Sequence, residues 1–320
     1  MGRWLLCLLG LTCSVIAMDS TTNPEAVSNF DDLWDYAKPA ETRKRFSSWL
    51  QHRPTLDTDT RLQLQTQIAR THSLVAEFAQ AHELLDQVLA ELSAQTPQAR
   101  VRYHLERGRT FNSAGDTLLA REQFLQAYRL TEDKAHDTYR IDAAHMMAIV
   151  ETDLDEKLQW NNRGLEAARQ TDDPAARKWI GVFHNNKGWD LFEAKRYEDA
   201  LVEFEQCRVF HQQQGNRANL DIARWSIAKT YRYLGRIEEA LAIQQALLAQ
   251  SGGEDDSGYT YEELAELYLS MGEKARAGHF FKRAYAILST DTWLQRNERE
   301  RLERLKLLAE SLPVQSQGKN

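Results

Sequence analysis

The stretch GRTFNSAGDTLLAREQFLQA, residues 108–127, decides how this chain is read, because its pattern returns at residues 265–284 as AELYLSMGEKARAGHFFKRA. In both stretches a small residue (Gly108, Ala265) precedes a large one (Phe111, Tyr268), and a glycine follows (Gly115, Gly272). Then come Ala120, Phe124 and Ala127 in the first, and Ala277, Phe281 and Ala284 in the second. Spacings of three and four place side chains on one face of a helix. A glycine between two such runs ends the first helix in a left-handed turn without a Cβ clash. The offsets therefore describe two antiparallel helices that meet at small residues, where a methyl group or a hydrogen lets the axes approach.

The pattern occurs six times, in units that start near Leu62, Val101, Ile141, Gly181, Asp221 and Gly258. The eighth residue of every unit is small: Ala69, Gly108, Ala148, Gly188, Ala228 and Ala265. The twentieth is small in five units (Ala81, Ala120, Ala200, Ala240, Ala277) and is Trp160 in the third. Large groups stand at the twenty-fourth as Leu85, Phe124, Phe204 and Phe281. In the third unit Trp160 and Gly164 reverse the order of small and large; they share a helix face, so a local exchange of volume between them is expected.

These offsets resemble the tetratricopeptide (TPR) repeat over residues 61–291. The resemblance implies an all-α fold, a right-handed α-solenoid of about six helix–turn–helix units with capping helices at both ends. Two departures accompany it. Successive starts differ by 39, 40, 40, 40 and 37 residues, against about 34 in the usual unit. The proline that closes a unit is replaced by Ser93, Glu132, Asp172, Gln212, Gly252 and Ser289.

Residues 1–17 read as a signal peptide: Arg3, an apolar run from Trp4 to Leu11, then Val15-Ile16-Ala17 with small residues at the cleavage positions. Export to a periplasmic or secreted location follows, with membrane anchoring by an uncleaved N-terminus or by a lipid on Cys13 as the alternatives. Cleavage would leave Cys207 as the one thiol, so no intramolecular disulfide is expected. Residues 18–60 carry short capping helices. Phe30, Leu33 and Trp34 form an apolar stripe behind Asn29, fit to dock on the first unit. The acidic and aromatic run Phe30–Asp35 could instead fill the groove of the array; the cap is the better reading, because the stripe already explains the aromatics. Residues 292–320 read as a C-terminal capping helix (Trp293, Leu302, Leu305, Leu308) and a disordered tail from Pro313.

A formal net charge of −7 argues against a nucleic-acid protein, which needs a dominant basic face. No phosphate loop, zinc-protease motif, paired CxxC or nucleophile elbow occurs, so neither an enzyme nor a cofactor is expected. The run Ser251–Asp256 reads as a solvated linker.

Function, on this reading, lies in a groove. The resemblance implies that residues 5, 9 and 12 of each first helix face the concave side. The candidate ligand-binding residues are then Arg70, Arg109, Asn112, His145, Asn185, Trp189, Trp225 and Lys229, with Arg232 and Phe192 beside them. Arginine offers a planar fork for carboxylates, an asparagine amide can hold a peptide backbone, and tryptophan is a frequent anchor. The expected partner is a protein or extended peptide with acidic groups, held by a scaffold or adaptor. Glu262 and Glu266 of the sixth unit would repel its acidic end and set direction. The alternative is a regulator that senses a small acidic molecule.

Overall fold

A computed structural model describes residues 27–132, 137–251 and 258–313. The signal-peptide reading, Cys13, the acidic linker after Ser251 and the tail beyond Pro313 lie outside these residues. Every regular element described is helical. The chain divides into two compact units between Asn186 and Lys187.

The first unit opens on a 3-10 turn, Phe30–Leu33, where a capped helix is expected from the sequence. Asn29 does cap it, its Oδ1 accepting from the Asp31 N–H at 3.0 Å. Helix α1 (Pro39–Gln51) follows, then three helix pairs: α2 (Thr58–Leu74) with α3 (Phe78–Glu91), α4 (Pro97–Ala114) with α5 (Thr117–Arg129), and α6 (Asp137–Val150) with α7 (Leu154–Gln170). A single turn, α8 (Pro174–Arg177), leads to α9 (Trp179–Glu193), whose first half belongs to this unit. Proline starts α1, α4, α7's successor α8, where a missing N–H costs nothing. Asp57 and Asp153 cap α2 and α7 through their carboxylates.

The second unit begins within α9 and continues with α10 (Tyr197–Gln213), the pair α11 (Arg217–Tyr233) and α12 (Ile237–Gln250), and the pair α13 (Gly258–Ser270) and α14 (Lys274–Leu288). Helices α15 (Thr292–Asn297) and α16 (Arg299–Ser311) close it, two helices in place of the expected one. Leu294, Leu302, Leu305 and Ala309 are its buried face, while Trp293 and Leu308 are only partly buried.

The small-residue seams are as tight as the pattern requires. A Cβ on Gly108 would lie 2.5 Å from the Phe124 ring, and one on Gly188 would lie 2.4 Å from Phe204. The third pair differs from expectation. Phe183 of α9, and not Trp160, occupies the space over Gly164, where a Cβ would come within 2.1 Å of its ring. Trp160 instead meets Tyr128 edge to face at 4.9 Å. The large group is thus supplied by α9, two helices further along the chain. In the tight turns, Gly115, Gly235 and Gly272 adopt positive φ, and Ala76 and Lys195 take the same conformation without being glycine.

Candidate functional site

The residues expected to face the groove lie along the first helices of the pairs, and they are linked from one pair to the next. In the first unit Arg70 on α2 donates to Glu106 on α4 at 3.0 Å. Arg109 donates to the other oxygen of Glu106 at 2.8 Å and also to Asp142 on α6. Gln67 adds a donor to Glu106 at 3.2 Å. Burial alone would raise the Glu106 pKa, yet Arg109 and Arg70 outweigh it and hold the carboxyl below its ordinary value. The arginines anticipated as carboxylate forks are therefore already engaged by this chain's own acids. Asn112 is half-buried at the end of α4.

His145 is buried among Trp179 and Phe183, and Asn186 donates to its Nδ1 at 3.0 Å. Burial pushes its pKa down to about 4, partly opposed by Asp142 and reinforced by Arg109, so it is a neutral packing residue. Asn185 is half-buried, and its Oδ1 has no hydrogen-bond partner among the described residues.

The second unit gathers aromatic rings. Trp189 on α9 and Trp225 on α11 have ring centroids 6.0 Å apart. Phe192 joins Trp189 at 5.3 Å and Tyr233 at 4.9 Å; Tyr233 is 47% exposed. Trp225 donates to the Tyr259 carbonyl at 3.1 Å, whereas the buried indole N–H of Trp189 finds no acceptor among the described residues. Lys229 lies 4.9 Å from the Trp225 ring centre and bonds Glu263 at 2.6 Å. Arg232 donates to the same carboxylate at 2.8 Å.

Two expectations change. Lys229, like Arg70 and Arg109, is not an unpaired cation, so the face is not a basic surface. Glu262 and Glu266 are held by Arg301 and Arg304 of α16, which neutralise them, and the directional repulsion read from the sequence falls away. The residues missed were the acids Glu106, Asp142 and Glu263. Each stands 33–36 residues after the cation it meets (Arg70, Arg109, Lys229), a little less than the 37–40-residue repeat and so on the first helix of the next pair.

Among the described residues no group of three or more His, Cys, Asp or Glu could hold a metal ion. Among them, no helix is long and apolar enough to cross a membrane. Cys207 is buried, and burial pushes its thiol up to about 12, far from a reactive thiolate.

No family model matches the sequence, and no curated protein matches it. Solved structures do match. The apo form of RapI superimposes with a TM-score of 0.67 at 12% identity, covering 88% of this chain and 81% of that one. The apo form of the quorum sensor NprR from B. thuringiensis gives 0.62 at 15% identity over 90% of this chain and 82% of that one. NprR in complex with its cognate peptide NprX gives 0.54 at 14% identity, with 88% and 82% covered. The C-terminal part of a TPR repeat-containing protein from Cytophaga hutchinsonii gives 0.51 at 15% identity, with 82% and 94% covered. With small residues at the helix seams, paired antiparallel helices and these structural neighbours, the chain has the tetratricopeptide-repeat fold, an all-α solenoid.

Proposed function

We propose that the protein is a non-enzymatic scaffold that takes a segment of another protein, or a peptide, on the aromatic face of its second unit. The observation that carries this reading is an aromatic cluster in which the half-buried Phe192 and the exposed Tyr233 form the outer surface, backed by the buried Trp189 and Trp225. Aromatic side chains supply large contact area at small entropic cost and dominate binding hot spots. The unpartnered Trp189 N–H adds a donor that a peptide carbonyl would satisfy after a small shift of the ring. Lys229 and Arg232 share one carboxylate, so an acidic guest would bind by replacing Glu263 on one of them. NprR, a structural neighbour, was solved with a peptide. On this proposal the chain acts outside the cytoplasm, as residues 1–17 suggest.

A peptide array screened with the full chain tests the reading. Selected peptides should bind Phe192→Ala/Tyr233→Ala about tenfold more weakly than wild type, with helical content unchanged. Equal binding would move the site elsewhere. A second reading, a sensor of a small acidic ligand, draws support from the description of NprR as a quorum sensor. Native mass spectrometry separates the two: a retained small ligand favours sensing, a retained protein chain favours the scaffold.

A further inference from the structure

The run Phe30–Tyr36 does more than close the end of the array. Its apolar residues do form a cap: Phe30, Leu33 and Trp34 are buried with Phe46, Trp49 and Leu64. Its polar groups, however, reach the face that the first helices present. The Asp31 carboxylate takes both terminal nitrogens of Arg102 on α4, Nη1 at 2.9 Å. The third nitrogen of that guanidinium donates to the Tyr139 hydroxyl on α6 at 2.7 Å. Trp34 donates its indole N–H to Gln67 on α2 at 3.1 Å. Tyr36 stacks on Trp34 at 4.5 Å, and the Arg70 guanidinium sits 5.5 Å from the Tyr36 ring centre. A bidentate fork, an indole hydrogen bond and a cation over a ring are contacts of the kind by which a protein reads a bound peptide. A cavity of about 280 Å³ beside the run, lined by Ser28, Asn29, Gln63, Gln98, Arg102 and Tyr139, leaves room along the same face.

We propose that residues 28–36 are a built-in peptide ligand of the first two helix pairs. This surface recognises an acidic and aromatic segment, with a carboxylate three residues before a tryptophan, and the chain fills it with its own. Tethering places the segment at an effective concentration on the order of millimolar, so a partner of the same chemistry enters only by displacing it. The inference concerns the first unit and is independent of the aromatic cluster in the second.

The test uses the full chain carrying Asp31→Ala/Trp34→Ala and a labelled synthetic peptide of residues 27–37, read by fluorescence anisotropy. The variant should bind that peptide at least about tenfold more tightly than wild type does, and adding Arg102→Gln should abolish the gain. A helical variant that binds no peptide, or a wild type that binds equally well, overturns the proposal. If the double variant loses helical content, Asp31→Asn with hydrogen exchange replaces it. The amides of residues 30–36 should then exchange about tenfold faster while those of α1 do not change, and unchanged protection of residues 30–36 overturns the proposal. Phe192→Ala/Tyr233→Ala should leave these results untouched, so failure here is distinct from failure of the proposed function.

Discussion

Glu263 of α13 accepts from Lys229 of α11 at 2.6 Å across the seam between consecutive helix pairs, and both side chains are buried. Burial would raise the Glu263 pKa, but Lys229 and Arg232 overcome it and hold the carboxyl at about 2. Glu263→Gln leaves two cations competing for a neutral amide in the interior. Denaturant unfolding should show a loss of about 3 kcal/mol, the usual cost of stripping a buried pair of one partner.

The same pair fixes a pH dependence. The folded pKa lies below the unfolded value of about 4.3, so the stabilisation is complete above that value and is lost as pH falls toward 2. Stability measured from pH 5 down to pH 2 should fall less steeply in Glu263→Gln than in wild type. Parallel curves would show that the carboxylate titrates normally.

Gly164 and Phe183 form the seam that the sequence did not predict. With a Cβ placed 2.1 Å from the Phe183 ring, Gly164→Ala should destabilise the fold by about 1–3 kcal/mol through overpacking. Adding Phe183→Leu should recover part of that loss. Absence of rescue would mean that the clash lies with another neighbour.

Gln244 sits at the twenty-fourth place of the fifth unit, where four of the other units put Leu85, Phe124, Phe204 or Phe281. It is fully buried, and neither atom of its amide has a hydrogen-bond partner among the described residues. Replacing it with the isosteric apolar side chain, Gln244→Met, removes two desolvated polar atoms. Thermal unfolding should register a gain of about 1–3 kcal/mol; a loss would reveal a hidden partner.

Ala76 and Lys195 hold φ of 62° in the turns that glycine occupies elsewhere. A left-handed backbone costs a non-glycine residue about 1–2 kcal/mol, part of which glycine gives back in chain entropy. Ala76→Gly and Lys195→Gly should each stabilise by about 0.5–1 kcal/mol, checked by denaturant midpoint at constant m-value.

The helix pairs were legible because their signal is local: a small residue at eight recurs in all six units, a small one at twenty in five, and a large apolar one at twenty-four in four. The third pair misled because its volume is supplied by Phe183 on a later helix, beyond the reach of a pattern read within one unit. Trp189 and Trp225 were named from their groove positions, and the structure does bring them together. The charge of the face was misjudged for a related reason. Arg70, Arg109 and Lys229 look free when each helix is read alone, while their acids arrive one unit later on the neighbouring helix. The run after Asn29 was read as a cap, and its second set of contacts, to Gln67 and Arg102, depends on backbone geometry that composition does not encode.

The central claim, that a protein or peptide segment lies on the aromatic face of the second unit, is tested most directly by photo-cross-linking in the native cell. Benzoylphenylalanine at Tyr233, on the rim of that face, should capture a discrete peptide or protein adduct, while the same group at exposed Leu307 on α16 should capture none. Equal labelling at both positions, or no adduct at Tyr233, would contradict the account.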